Sequence, residues 1–534
     1  MNKIKHALNL ILPFTVYLIA GIILLNSSEY LSDELNIRSG IAYDLLKGEE
    51  RGREGLICSV WWAPLPTLLQ LVFGLFPSLI KSGIAGVIIS SAGGAMFFFF
   101  LYKSLVYLGI NSICSYLICI FAGLNPWILF FSTTGVSEAI LLGVFTGALW
   151  GFLTWHFEQR LSGLITMSLL ASLLPLIKHQ TIFLAIGILL AGVTTAVWGK
   201  NNKLHRAEGT IFLAIFPILY TTGLWFLFNW LIMGDFLYFI KGIYINPVQS
   251  RMFIPEWATE VARISEPWTI QFYVMPLIPI AVIVMVVSFF QKQGLLTLKY
   301  LLMLGILPAY HILMASRHQS FNLTGDMAIA IPVSILILGM FVKGLVKSSN
   351  PVVKPISFLV TLLVILGTIF SYGFIASGAL RMPLENSTEF PYFTMPQGTK
   401  EELKIREFII NKEEDSKIAL AGFSGYSFIK NSEGGDEFVH TINLDMRRTL
   451  KNTRGKTLYF IVPKPLGAAA FDSINLNLPG LYYKGETTFS GSDIKAHFML
   501  ESKDFDNWRI FTIVRPGQNE TIFGTSKEIS KNSR

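Results

Sequence analysis

Residues 11–40 read ILPFTVYLIAGIILLNSSEYLSDELNIRSG. An apolar run long enough to cross a bilayer is followed directly by a short loop that carries two adjacent acids, Asp33 and Glu34. The continuation DELNIRSGIAYDLLKG has the pattern of a helix that lies along the membrane interface. Its apolar side is predicted to carry Leu35, Ile41, Leu45 and Leu46. The stretch therefore predicts a membrane anchor followed by carboxylates close to the bilayer surface.

The composition also indicates a membrane protein. The chain has 534 residues, of which 52% are hydrophobic and 15% are charged, and its mean hydropathy is +0.53. Soluble domains carry about 25% charged residues. The three cysteines, Cys58, Cys114 and Cys119, show neither a disulfide framework nor the spacing of metal ligands. The composition therefore predicts an integral membrane protein and assigns no role to the cysteines.

Eleven apolar segments are candidates for transmembrane helices, because a span needs about 20 mostly apolar residues. They are 7–25, 83–102, 111–131, 138–155, 161–177, 180–198, 210–232, 270–290, 297–315, 325–342 and 356–378. The run PLPTLLQLVFGLFPSLI, residues 64–80, is shorter and rich in proline, so we expect an interfacial or re-entrant helix there. The sequence thus predicts about eleven transmembrane helices.

The Lys and Arg residues predict the orientation of these spans, because cytoplasmic loops are enriched in both. With the N-terminus inside, the short inner loops hold Lys3, Lys5, Lys103, Arg160, Lys200, Lys203, Arg206, Lys292, Lys299, Lys343, Lys347 and Lys354. The opposite orientation would translocate all of them. We therefore predict a cytoplasmic N-terminus and an extracytoplasmic C-terminal part, in the plasma or inner membrane of a bacterium or archaeon. The net charge of +8 then requires no nucleic-acid partner.

Two domains follow from this arrangement. Residues 1–378 are predicted to form the membrane domain, whose outer loop 26–82 holds the acids and the interfacial helices. Residues 379–534 are polar enough to form a soluble domain on the outer side, where SKIALAG and KTLYFIVP read as strands. The predicted fold class is a mainly α polytopic membrane protein with a C-terminal α/β extracytoplasmic domain.

Asp33 is the candidate general base. It lies near the boundary between membrane and water, where partial desolvation raises the pKa of a carboxyl group towards the range that general base catalysis uses. An acid at the N-terminal end of a helix also has a purely structural explanation, since helix capping and the helix dipole favour it. Both interpretations are open on local sequence alone.

The first outer loop resembles that of the GT-C glycosyltransferases, in the branch of the protein O-mannosyltransferases and lipid A aminoarabinose transferases. Members carry an Asp-Glu pair after the first span, a helix that ends in a Leu-Leu-x-Gly-like turn, and a Pro-rich aromatic segment. The matching stretches are Asp33-Glu34, Leu45-Leu46-Lys47-Gly48 and Trp62-Ala63-Pro64-Leu65-Pro66. The Lys-Pro-Pro or His-Pro-Pro of the family is Ala-Pro-Leu-Pro in this chain. The resemblance covers residues 7–378 and implies a GT-C-like membrane domain.

Other positions agree with this resemblance in order along the chain. Glu138 lies at the outer end of the fourth span, where related enzymes often keep a second acid. LLPLIKHQTIFLAIG resembles the outer turn that supplies a Lys or Arg to a lipid phosphate, and SRHQSFNLTGDMAIAIP resembles the basic segment before a late span. The resemblance implies that these segments line one ligand site.

Four basic side chains lie at predicted outer ends of spans, against the charge pattern of the other loops. They are Lys178, His179, Arg317 and His318. An anionic ligand held at the outer interface would explain them, and a polyprenyl phosphate fits, with its phosphate at headgroup depth and its chain in lipid. Snorkelling of long side chains at helix ends is the alternative explanation.

These observations predict a membrane enzyme that moves a sugar, with inversion, from a polyprenyl-phosphate-linked donor to a hydroxyl of a lipid, glycan or protein on the extracytoplasmic side. Asp33 would act as base with Glu34 beside it, Glu138 would orient the acceptor or the sugar, and the four basic side chains would bind the lipid phosphate. No motif supports a divalent metal or another cofactor. A different polyprenyl-phosphate or O-antigen type transferase, a polytopic transporter and a non-catalytic assembly or binding protein are the alternatives.

Overall fold

A computed structural model of the chain shows a helical bundle followed by a mixed sheet. The described part comprises residues 2–28, 32–48, 50–57, 63–197, 204–241, 268–290, 294–316, 323–346 and 353–377, and, in the C-terminal part, 404–405, 407–408, 416–420, 438–440, 458–465, 474–475, 478, 480–484, 486–488, 495–502 and 507–513.

The helices account for nearly all of the described residues before 378. They are α1 (Asn2–Ser28), α2 (Asp33–Lys47), α3 (Glu50–Ile57), α4 (Leu65–Gln70), α5 (Pro77–Lys81), α6 (Ile84–Tyr107), α7 (Ser112–Gly123), α8 (Pro126–Thr133), α9 (Glu138–Glu158), α10 (Leu161–Ile177), α11 (Ile182–Val197), α12 (Leu204–Met233), α13 (Tyr238–Lys241), α14 (Trp268–Val274), α15 (Ile278–Phe289), α16 (Gly294–Ser316), α17 (Leu323–Met327), α18 (Ala330–Val346) and α19 (Val353–Ala376). Short 3₁₀ turns cover Leu71–Phe73 and His179–Thr181.

Each of the eleven predicted segments overlaps a described helix or a pair of helices. Seven of the described helices are long and apolar enough to cross a bilayer, or nine if each of two bent pairs is one span. The other two predicted segments correspond to the shorter apolar helices Leu161–Ile177 and Leu298–Leu313. The prediction of a polytopic, mainly α membrane protein is therefore confirmed.

Backbone contact between α6, α9 and α10 fixes the centre of the bundle. A Cβ atom on Gly93 of α6 would lie 2.6 Å from the carbonyl carbon of Ala139 in α9. A Cβ atom on Gly151 of α9 would lie 2.5 Å from the backbone nitrogen of Met167 in α10. Small residues let membrane helices approach this closely, because lipid supplies no hydrophobic force to press them together. The first turn of α9 is consequently held directly against α6.

The two bent spans are joined to each other at their breaks. α7 and α8 meet at 69°, and α14 and α15 meet at 101°. Asn125 caps α8 by accepting a hydrogen bond from the Trp127 backbone and donates to the carbonyl of Val274 at the end of α14. Ser371 of α19 donates to the same carbonyl at 2.9 Å. The carbonyl of Val274, at the break between α14 and α15, thus accepts hydrogen bonds from protein side chains. Such bonds are needed because the apolar part of a bilayer contains no water to replace them.

The described residues of the predicted first outer loop form four short helices, α2 to α5, on one end of the bundle. The predicted apolar side of α2 is wrong in part, because Leu35 packs with Val87 of α6 while Ile41 belongs to a different cluster. The helix is therefore buried on two faces. Residues 64–80 form short helices rather than a span, and their most exposed apolar side chains are Val72, Leu75 and Phe76. This agrees with the interfacial helix predicted there.

The C-terminal part contains a six-stranded sheet. Its strands are β1 (Lys417–Leu420), β2 (Phe438–His440), β3 (Leu458–Pro463), β4 (Glu486–Thr488), β5 (Lys495–Ser502) and β6 (Trp508–Ile513). Their order is β2-β1-β3-β6-β5-β4, with β1 parallel to both of its neighbours and the remaining pairs antiparallel. The two strands predicted from SKIALAG and KTLYFIVP are β1 and β3.

We expect Gly93→Ala to lower the free energy of unfolding by about 1–3 kcal/mol, because the added methyl group meets backbone that cannot move aside. Gly223→Ala in α12 is the matched control, since no described atom lies within 4 Å of a Cβ there. Alanine is the better helix former, so the control should be neutral or gain up to about 1 kcal/mol. Denaturation of the purified protein in detergent measures both. Equal effects of the two substitutions would contradict the close α6–α9 packing.

Candidate active site

Charged and polar side chains from five parts of the chain converge where the predicted first outer loop meets the bundle. We call this group the Lys178 network; it consists of Glu34, Arg38, Glu138, Lys178, Gln180, His311 and Asp326. Its members come from α2, the start of α9, the turn after α10, the C-terminal part of α16 and the short helix α17. The predicted outer ends of these spans therefore meet on one side of the bundle.

Lys178 lies at the centre of the network. Its Nζ donates to Oε1 of Glu138 at 2.6 Å and to Oδ1 of Asp326 at 3.3 Å, and the side chain is almost fully buried. Burial alone would lower the pKa of Lys178, but the carboxylates of Glu138, Asp326 and Glu34 hold it above its ordinary value. The turn between α10 and α11 thus carries a permanent cation.

Asp326 has the largest number of partners in the network. Besides Lys178, its carboxylate accepts two hydrogen bonds from Nε2 of Gln180, at 3.0 and 3.2 Å. Nε2 of His311 in α16 lies 2.8 Å from Oδ2 of the same carboxylate. Asp326 is fully buried. It therefore joins the outer turn of the α10–α11 hairpin to α16.

Glu34 and Arg38 attach α2 to the bundle. Their side chains form a buried ion pair at 2.7 Å, one helical turn apart. Oε1 of Glu34 also accepts a hydrogen bond from the backbone nitrogen of Ser137, just before α9, where the helix dipole favours an anion. Arg38 donates to the carbonyl of Ala63 and to the hydroxyl of Thr67. This pair connects α2 both to α9 and to the Pro-rich segment.

Asp33 is the first residue of α2 and precedes Glu34 directly. The N-cap of the helix is Ser32, whose hydroxyl accepts a hydrogen bond from the backbone of Leu35 and donates to the carbonyl of Thr134. Capping by a side chain is therefore done by Ser32. The side chain of Asp33 lies outside the described residues, so its role as base stays a prediction.

The predicted phosphate ligands do not all lie in the network. His179 follows Lys178, but its ring packs against Trp225 of α12 and Phe239 of α13, with centroid distances of 6.1 and 4.8 Å. Arg317 and His318 lie outside the described residues. The structure thus brings together three of the predicted site residues, Glu34, Glu138 and Lys178.

Four members of the network were missed by the sequence prediction: Arg38, Gln180, His311 and Asp326. Arg38 follows Glu34 at the i,i+4 spacing of helical ion pairs. His311 and Asp326 are single ionisable residues in or beside apolar spans, and such residues are costly unless they are paired or functional. Asp326 lies inside the segment SRHQSFNLTGDMAIAIP, of which only the basic residues Arg317 and His318 were predicted to belong to the site.

The network contains three carboxyl groups, those of Glu34, Glu138 and Asp326, beside two basic side chains, Arg38 and Lys178, and the imidazole of His311. Among the described residues no group of three His, Cys, Asp or Glu side chains is arranged to hold a metal ion. The arrangement offers carboxylates for proton transfer and for hydrogen bonds to hydroxyl groups, and one ammonium group.

Fold and site together define the class: a polytopic membrane protein with a cluster of ionisable side chains where its predicted first outer loop meets the bundle. The solved structures that share its fold include two of one enzyme. One is ArnT from Cupriavidus metallidurans bound to undecaprenyl phosphate, with a TM-score of 0.53 and 10% identity over 96% of this chain and 99% of that one. The other is ArnT from the same organism in the apo state, with a TM-score of 0.51 and 11% identity over 94% and 97%.

ArnT is a lipid A aminoarabinose transferase, so the resemblance seen in the first outer loop is confirmed at the level of the fold. No family model and no curated protein matches the sequence of the chain. At this identity the match reports a shared fold, and the roles of individual side chains have to be argued from the chain itself.

We expect Lys178→Met to lower the free energy of unfolding by about 3–5 kcal/mol, because it leaves two buried carboxylates without their cation. Arg160→Met is the control, since its ion pair with Glu158 is exposed and such pairs contribute at most about 1 kcal/mol. Adding Glu138→Gln and Asp326→Asn to Lys178→Met should restore part of the loss. Denaturant titration measures all three variants; similar losses for Lys178→Met and Arg160→Met would contradict a buried network.

Proposed function

We propose that this integral membrane protein is a glycosyltransferase that moves a sugar from a polyprenyl-phosphate-linked donor to an acceptor hydroxyl on the extracytoplasmic side, with inversion. The observation that carries the proposal is the Lys178 network, which lies beside the helix that begins with Asp33, in a GT-C fold. Residues 1–378 would form the catalytic membrane domain and 379–534 an outer domain. The N-terminus would be cytoplasmic.

Asp33 is the proposed base. Its carboxylate takes the proton of the acceptor hydroxyl while the acceptor oxygen attacks the anomeric carbon from the face opposite the phosphate. The bond between that carbon and the phosphate oxygen breaks, and its electron pair leaves with the polyprenyl phosphate. A phosphate is a good leaving group without protonation, so one dominant carboxylate suffices. Asp33 suits the role because Glu34, the next residue, is locked to Arg38 and Ser137.

Lys178 is the proposed contact to the phosphate. An ammonium group has three N–H donors, and among the described residues it donates to two acceptors, Glu138 and Asp326. The third donor can serve an oxygen of the leaving phosphate. Since Lys178 already contacts two carboxyl groups of the network, it cannot balance a phosphate alone, and the proposal relies on Arg317 and His318 as well. His179 would contribute a further contact to the phosphate from its position against Trp225 and Phe239.

The bound lipid in one ArnT structure supports this choice of donor, because undecaprenyl phosphate is a polyprenyl phosphate. Glu138 is proposed to orient the acceptor or the sugar, and its contact with Lys178 would place that sugar next to the phosphate. The acceptor hydroxyl could belong to a lipid, a glycan or a protein. A transporter would instead place its ionisable groups near the middle of the membrane, whereas Glu138, Lys178 and Asp326 all lie at helix ends.

We expect Asp33→Asn to reduce sugar transfer about 100- to 10,000-fold, because an amide cannot accept the proton of the acceptor. The assay incubates purified protein with radiolabelled polyprenyl-phosphate sugars and a membrane extract that supplies acceptors. Glu158→Gln is the matched control, since it removes a carboxylate at the opposite end of α9, and it should transfer like the wild type. Equal transfer by Asp33→Asn and wild type would exclude Asp33 as base. A wild type that consumes no polyprenyl-phosphate sugar would refute the proposed function.

A further inference from the structure

The helix that begins with Asp33 has a second apolar face, directed away from the bundle. Ile37 and Ile41 are buried on this face, and Leu45 continues it at the same four-residue interval. Residues at this spacing lie one above the other on a helix. Glu34, Arg38 and Ala42 lie on the adjacent side of the helix, three or four positions from Ile37 and Ile41, and Ala42 packs with Ile80 and Ala85.

The partner of this second face is the C-terminal sheet. Ile37 and Ile41 form one buried cluster with Ile418, Leu420, Ile461, Trp508 and Ile510, which belong to β1, β3 and β6. Ile461 and Ile510 are directly paired across the two central strands. The interface thus joins residues that are more than 370 positions apart in the chain.

The register of the sheet explains why these side chains reach α2. Successive side chains of a strand point to opposite faces, so Ile461 and Ile510 lie on the face of the sheet whose side chains cluster with α2, while their neighbours Phe460 and Phe511 point to the other face. Phe460 and Phe511 are also paired with each other and are buried. The sheet therefore has one apolar face for α2 and another for its own packing.

We infer that the C-terminal sheet is a clamp that fixes the position of α2, and with it the position of Asp33 relative to the Lys178 network. α2 has contacts to two parts of the protein: the bundle holds one side through the Glu34–Arg38 ion pair, and the sheet holds the adjacent side through Ile37 and Ile41. A helix moves as a rigid rod over one or two turns, so a shift at Ile37 is passed on to Asp33. Ile37, Ile41 and the sheet residues that they contact are positioning residues.

The catalytic consequence rests on the proposed function. A displacement of about 1 Å at a reacting group can cost about 100-fold in rate, so a loosened clamp should lower kcat while the donor still binds. The mechanical part of the inference is independent of any activity. It states only that the apolar cluster with the C-terminal sheet, to which Ile461 and Ile510 belong, holds α2 in place.

Hydrogen exchange of the full chain in lipid nanodiscs tests the mechanical part. In Ile461→Ala and Ile510→Ala, the backbone amides of residues 37–45 should exchange about tenfold faster than in the wild type, because local opening becomes easier. Ile461→Val, which keeps most of the contact, should return the rates to within about twofold. Phe511→Leu is the matched control on the opposite face of β6, and it should speed exchange in β6 but leave α2 within about twofold. Unchanged α2 exchange in both Ile→Ala variants would overturn the clamp.

Sugar transfer by the same variants tests the positioning role. We expect kcat to fall about tenfold in Ile461→Ala with KM for the donor nearly unchanged, recovery in Ile461→Val, and wild-type kcat in Phe511→Leu. Faster α2 exchange with unchanged kcat would overturn the positioning role. Transfer by none of the proteins, wild type included, would refute the proposed function, and the exchange measurement would still decide on the clamp.

Discussion

The ammonium group of Lys178 lies between the carboxylates of Glu138 and Asp326, and the rest of the site depends on this contact. A buried charge is stable only when it is paired and hydrogen-bonded. The turn after α10, the first residue of α9 and the short helix α17 therefore have to lie next to one another. Glu34 then connects α2 to that point through the backbone of Ser137. The geometry of the site is therefore set by electrostatics at the ends of the spans, whereas the apolar core sets only the distances between the helices.

The bundle holds those helix ends through backbone contacts and satisfied breaks. Gly93 brings α6 against the first turn of α9 without an intervening side chain, which leaves Glu138 little freedom to move. Asn125 and Ser371 share the carbonyl of Val274 and so join the two bent spans. The hydrogen bonds of Asn125 and Ser371 satisfy a backbone group that water would satisfy in a soluble protein. The glycine contact brings two helices together where no hydrophobic force presses them together. The membrane thus accounts for both the glycine contacts and the buried polar side chains.

Much of this architecture could be predicted from the sequence, because span length and apolar composition are local properties. The eleven segments, the interfacial run 64–80 and the strands β1 and β3 all follow from patterns within about 20 residues. Such local patterns could not predict the partners of Lys178, since Asp326 is 148 residues away in the chain. A single acid before an apolar span does not show which residue it contacts. The two-sided burial of α2 was missed for the same reason: Ile37 and Ile41 face a sheet formed by the last part of the chain.

The contact between α2 and the sheet has a consequence for biosynthesis. A ribosome delivers the chain from the N-terminus, and the part that emerges first begins to fold first. Asp33 and Glu34 leave the ribosome among the earliest residues, and Glu138 can meet Lys178 once the first hairpins are in the membrane. Asp326 arrives far later, and β6 later still, so α2 has one face uncovered through nearly all of translation. This side of α2 is therefore the last part of the site to be covered, and a chain that ends before β1 would leave Ile37 and Ile41 without the strands that bury them.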